Sequence, residues 1–289
     1  MMAVLLILSI VLSVCKSAVY NCYAKSEMPD LPGIFRFNAV SYGIAALITL
    51  CFGIGESLSF STVICSAAYA VTVFSFQALS VAAMTVGSMS LTSLLGLYGM
   101  VIPSAAGPIF WNEPFGVSQL LGMVIMILSL WMLRGKDDNK SSSEKKWRIM
   151  AGFCFVMSGL AGLIEKIHQS TNGREERRMF LLFAFLMMFI FSVLGSVTVK
   201  TKLHKNISVK PIIMFGAISG AIISIFSRIN LTLAGKLDSL IYYPIANGGA
   251  LLLTVFISAA VFREKLHPKR LLGFFMGLCA IFLLSLPTL

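Results

Sequence analysis

The chain has 289 residues, 57% of them hydrophobic and 12% charged, with a net charge of +11. A soluble domain carries roughly 25% charged residues, so a fold that covers itself with water-facing polar surface is excluded. The basic residues sit in short loops beside apolar runs, which argues against nucleic acid as a partner, and those runs lack the alternation of a membrane β-barrel.

In chain order, apolar runs predict ten spans, at about 3–25, 31–53, 59–79, 84–110, 116–134, 147–167, 178–200, 210–233, 239–262 and 268–287. Each approaches the ~20 residues a helix needs to cross a bilayer core of about 30 Å. The first run, MMAVLLILSIVLSVC, lacks a basic leading segment and a small-residue cleavage site, so it reads as a retained span. The one extended hydrophilic stretch, RGKDDNKSSSEKKWR at Arg134–Arg148, has the composition of a flexible linker. It divides the chain into a first five-helix repeat at residues 1–135, a linker at 136–146 and a second five-helix repeat at 147–289. The six cysteines show no CxxC spacing and the three histidines are scattered, so neither a metal nor a disulfide framework is expected.

The two halves resemble each other. FWNEPFGVSQLLG (Phe110–Gly122) returns as VFREKLHPKRLLG (Val261–Gly273), aligning Glu113 with Glu264. Ser17 and Lys25 of the first span likewise align with Ser158 and Lys166 of the sixth. A repeat with an odd number of spans enters the membrane upside down relative to its partner, an arrangement recurrent in secondary transporters. The repeated motif marks the turn between the fourth and fifth helix of each half, with a proline suited to a helix start and Gly122 and Gly273 allowing close helix contact. About 15 Lys and Arg follow the odd-numbered spans and about five follow the even ones. The positive-inside rule therefore predicts a cytoplasmic linker with both termini outside, in the plasma (inner) membrane.

Polar residues within spans cost free energy and need a reason. Lys16 lies near the middle of span 1, on a polar face with Ser9, Ser13, Ser17, Tyr20 and Tyr23; it either binds an anionic group or snorkels. Arg228 ends a small-residue seam of Gly216, Gly220 and Ser224 in span 8, as a second substrate cation or a headgroup contact. Tyr243 and Asn247 share a face of span 9 across Pro244, and Tyr69 and Gln77 fall on one side of span 3. Lys16, Tyr20, Tyr69, Gln77, Arg228, Tyr243 and Asn247 are the candidate substrate-binding residues. No carboxylate sits at midspan. Glu165, about one turn from the end of span 6, is the nearest, and with Glu113 and Glu264 it is a candidate for coupling or gating. The two repeated glutamates also have a structural reading, as carboxylates interacting with a following helix dipole.

Ten spans, two five-helix repeats, the glutamate-bearing turn and the glycine after it resemble the EamA-like branch of the drug/metabolite transporter superfamily. Lys25 and Arg36 match a Lys…Arg pair common there, and NLTLAGKLDSLIYYPI (Asn230–Ile245) is similar to that family's passage into helix 9. The resemblance implies an all-α basket of ten helices around a central cavity, alternating access, and transport of small metabolites, often export. The missing midspan carboxylate departs from the proton-coupled multidrug exporters of the superfamily and disfavours lipophilic cations. The expectation is a secondary transporter of a small polar metabolite, anionic if Lys16 faces the cavity, working in the lipid bilayer as a monomer or homodimer without a cofactor. A non-transporting scaffold or sensor is the alternative. An intramembrane enzyme is less favoured, since HExxH, GxSxG and paired midspan carboxylates are all missing.

Overall fold

The structure is a computed structural model and describes residues 2–27, 31–53, 58–86, 96–114, 116–133, 144–171, 175–199, 209–260, 268–284 and 286. Among these it is all-helical. Ten helices follow one another: α1 (Met2–Glu27), α2 (Leu31–Cys51), α3 (Phe60–Val86), α4 (Val101–Phe110), α5 (Val117–Leu133), α6 (Glu144–Thr171), α7 (Arg177–Thr198), α8 (Val209–Ala234), α9 (Ser239–Ala260) and α10 (Pro268–Leu284). Six of them, α1, α2, α3, α6, α7 and α8, are long and apolar enough to cross a membrane. The apolar stretches of the other four helices are shorter.

Helix α7 shows what makes these helices compatible with lipid. Phe180, Leu181, Ala184, Phe185, Met188 and Ser192 form its buried face. The opposite face is also apolar, and Leu186, Ile190 and Leu194, at four-residue spacing, are exposed. A helix apolar all round with one open face suits hydrocarbon rather than water.

The expected fourth span, 84–110, differs from what is seen. Helix α3 continues to Val86, and a turn at Gly99–Met100 precedes α4. A Cβ on Gly99 would lie 2.8 Å from the backbone nitrogen of Gly159 and 2.9 Å from the carbonyl of Phe155. Two chains approach there at backbone distance, and only glycine leaves the room.

The helices fall into two compact units, each drawing on both sequence halves. The first holds Ala3–Phe74 and Ile167–Gly235, the second Ser75–Lys166 and Lys236–Leu289. In the first unit, α2 packs on α7 and on α8. Gly216 and Gly220 make the α8 crossing possible, since a Cβ on Gly216 would stand 2.8 Å from Val40, and one on Gly220 2.8 Å from Ile44. Tyr23, Phe37 and Ile212 form a core there, with Tyr20 edge-on to Phe37 at 5.7 Å. In the second unit, α5 packs along α10 and α9 against α4. Gly122 closes the first of these contacts, as a Cβ there would meet Leu284 at 2.9 Å. Pro114 lies three residues ahead of α5, whereas Pro268 is the first residue of α10.

Candidate functional site

The first unit holds a cavity of about 330 Å³ lined by Leu5, Arg177, Arg178, Leu181, Arg228, Ile229 and Thr232. Three helix ends build it. Helix α1 brings Leu5, the first turns of α7 bring Arg177, Arg178 and Leu181, and the last two turns of α8 bring Arg228 and Thr232. The guanidiniums of Arg178 and Arg228 repel one another.

Local chain chemistry holds Arg228 and Arg177. Helix α2 ends as the Gly53 N–H donates to the Leu50 carbonyl at 2.9 Å, with Gly53 at φ +98°, a conformation that favours glycine. This termination sets the Phe52 ring 4.2 Å from the Arg228 guanidinium, a cation–π contact. Arg177 is clamped by two acceptors. Its Nε–H donates to Gln169 Oε1 at 3.1 Å and its Nη1 to Thr232 Oγ1 at 2.8 Å. Thr232 in turn donates to the Arg228 carbonyl at 2.7 Å.

A partly buried polar network adjoins this clamp. Glu176, just ahead of α7, accepts at Oε2 from the Ser59 N–H at 3.2 Å, from Ser59 Oγ at 2.6 Å and from Thr62 Oγ1. Ser59 also caps α3, its Oγ accepting from the Thr62 N–H at 3.3 Å. Thr62 Oγ1 lies 3.0 Å from His168 Nε2, and His168 Nδ1 lies 3.0 Å from Gln169 Nε2. His168 is fully buried, stacked on Phe180 at 4.3 Å between centroids.

The second unit has its own charge cluster, and it resolves what the FWNEP turn does. Asn112 takes a left-handed conformation, φ 48°, which Asn tolerates better than most residues. The chain doubles back so that the Glu113 N–H donates to the Gly107 carbonyl at 3.4 Å. Glu113 then caps α9 from outside, Oε2 accepting from the Ser239 N–H at 2.5 Å and Oε1 from Ser239 Oγ at 3.2 Å. Lys166 Nζ lies 2.5 Å from Glu113 Oε1 and donates to the Leu237 carbonyl at 3.0 Å. Burial, and secondly the Glu113 charge, raise the pKa of the neighbouring Asp238, with Lys166 opposing.

The expected site residues are distributed as follows. Arg228 lines the arginine cavity. Lys16 is half-buried elsewhere in the first unit, its ammonium 4.5 Å from the Phe226 ring centroid. Tyr20 belongs to the packed core, and Tyr69 packs at 5.4 Å on Phe180, the ring that His168 also meets. In the second unit Tyr243 donates to the Gly162 carbonyl at 2.6 Å, tying α9 to α6, and Asn247 donates back to the Tyr243 carbonyl at 3.1 Å. Gln77 is half-buried and Glu165 buried in that unit. Glu264 lies outside the described residues. Arg177 and Arg178 are absent from the sequence-based candidates because basic residues at a span's end read as topology determinants, and His168 because the three histidines are scattered; Gln169 and Glu176 are absent from them too. The juxtaposed Glu-Glu-Arg-Arg at 175–178 was the available signal.

No protein-family model and no curated protein matches the sequence. A crystal structure of a protein matches with a TM-score of 0.77 at 9% identity, over 96% of this chain and 95% of that one. At that identity the likeness shows the fold alone.

Proposed function

We propose that the protein is a secondary transporter for a small anionic metabolite, with the arginine cavity as part of its binding site. The observation that carries this reading is the convergence of Arg177, Arg178 and Arg228 on one space of about 330 Å³. Three guanidiniums offer planar forks that match the oxygens of a carboxylate, phosphate or sulfate. A cation would meet net repulsion there. The volume corresponds to that of about ten waters, which suits a small metabolite. Support for transport, over fixed binding, comes from the duplicated five-helix pattern and its resemblance to the EamA-like drug/metabolite transporters, whose repeats exchange access between two faces of the membrane. Alternating access then carries the anion across.

The test is uptake and counterflow in proteoliposomes with pooled anionic, zwitterionic and cationic metabolites, comparing the wild type with Arg228→Gln. Saturable flux of the anionic pool, lost in the variant, is the expected outcome. Saturable flux of cations would overturn the anionic assignment. Binding of anions without flux, by a folded and inserted protein, would turn the reading to a scaffold or sensor.

A further inference from the structure

The hydrogen-bond chain from Arg177 to Glu176 has one allowed direction, and the donor inventory dictates it. The Nε of arginine only donates, so the Gln169 atom facing it must be oxygen. The other arm of that amide is then NH2, which donates to His168 Nδ1. Nδ1 therefore carries the lone pair and Nε2 the proton. Nε2–H donates to Thr62 Oγ1, whose own hydrogen goes to the Glu176 carboxylate. The polarity runs Arg177 to Gln169 to His168 to Thr62 to Glu176, with no free choice of tautomer or amide orientation.

We propose that His168 and Gln169 form a proton-driven switch that sets how Arg177 is presented to the anion cavity, so that proton and anion bind together. This rests on the anionic reading above and assigns the regulation of that site. A proton added to His168 goes to Nδ1, the ring's remaining lone pair. Nδ1–H then faces the Gln169 NH2, donor against donor. The amide relieves this by turning over, so that Oε1 accepts from Nδ1–H. Its NH2 now points at Arg177 Nε–H, again donor against donor, and Arg177 loses Gln169 as an acceptor. An anion in the cavity supplies the replacement. The charged groups acting on the imidazole among the described residues are Glu176, just ahead of α7, and Arg177, its first residue. Helix α3 contributes the uncharged Thr62, α7 also the Phe180 ring, and α6 itself Gln169. Glu176, reached through Thr62, balances the new positive charge. Gln169 and His168 are positioning residues here, acting through Arg177.

Sulfate is the probe, because it remains a dianion throughout. Binding of radiolabelled sulfate to the full chain in lipid nanodiscs would be measured at about pH 4 and about pH 8, which bracket the loss of the His168 proton. The wild type should bind about tenfold more tightly in acid, the worth of one charge-assisted hydrogen bond. Gln169→Met, which removes the amide and nearly keeps its volume, should bind equally at both pH values and at the acid-side affinity. His168→Gln should also lose the pH dependence. Linkage demands the reciprocal effect in the wild type: sulfate added at about pH 4 should draw protons from weakly buffered solution. Wild-type affinity independent of pH, with no proton uptake, overturns the switch while leaving the anion site standing. A Gln169→Met protein that keeps the tenfold change overturns it too. Sulfate binding that is absent at both pH values, or untouched by Arg228→Gln, overturns the anionic reading and the switch with it.

Discussion

Replacing Lys166 with Met tests the charge cluster around Glu113 most directly. The two side chains are 11% and 7% exposed, so water screens them little. Without Lys166, Glu113 keeps the Ser239 N–H and hydroxyl as donors and, among the described residues, has no opposing charge in contact. Removing one partner of a buried pair costs about 3–5 kcal/mol. Denaturant unfolding followed by tryptophan fluorescence, on wild type, Lys166→Met, Glu113→Gln and the double variant, measures this. The double variant should recover a large part of the loss, with a coupling energy of about 2 kcal/mol or more. A Lys166→Met protein as stable as wild type at pH 7, or a coupling energy near zero, would refute the reasoning.

Three further outcomes follow from packing and charge. Gly107→Ala should cost about 1–3 kcal/mol, because the new methyl overlaps Glu113 Oε2 and sits 2.9 Å from Ser239 Cβ; the same unfolding assay reads it, and a neutral result would mean the turn relaxes freely. Asp238→Asn should stabilise the protein slightly at neutral pH, by under about 1 kcal/mol given its exposure to solvent. A carboxyl whose folded pKa is raised favours folding less as pH climbs above its unfolded value, so the variant's advantage should appear above about pH 4 and vanish in stronger acid. Gly220→Ala should push α8 off α2, since the new carbon overlaps the Ser41 carbonyl; a drop of about 1–3 kcal/mol in unfolding free energy is expected, and an unchanged value would show that the crossing has slack.

The helices were legible in the chain because hydrocarbon imposes one rule everywhere. A backbone without water must bond to itself, so a long apolar run becomes a helix whatever its neighbours are. The limits of α2, α5, α8 and α9 accordingly fall within a few residues of the apolar runs. Arg228 stood out for the same reason, as a charge in a place where charges are costly. Gly216, Gly220 and Gly122 announced close crossings by their spacing and position. What the chain alone could not reveal is which polar groups face each other. Arg177, Arg178 and Lys166 look like ordinary basic residues at span ends, and His168 like a stray. Their roles arise from approaches across 55 residues to Thr232, 53 to Glu113 and 106 to Thr62. Glu113 shows both sides of this. Its place in a repeated turn was visible in sequence, but its work as the external cap of α9 and the partner of Lys166 depends on a left-handed Asn112 and a glycine at 107 with no side chain in the way. Hydrophobicity acts on each segment locally and leaves its mark in composition. Hydrogen bonds and ion pairs act within about 3 Å between distant segments, and composition carries no record of which distant segments meet.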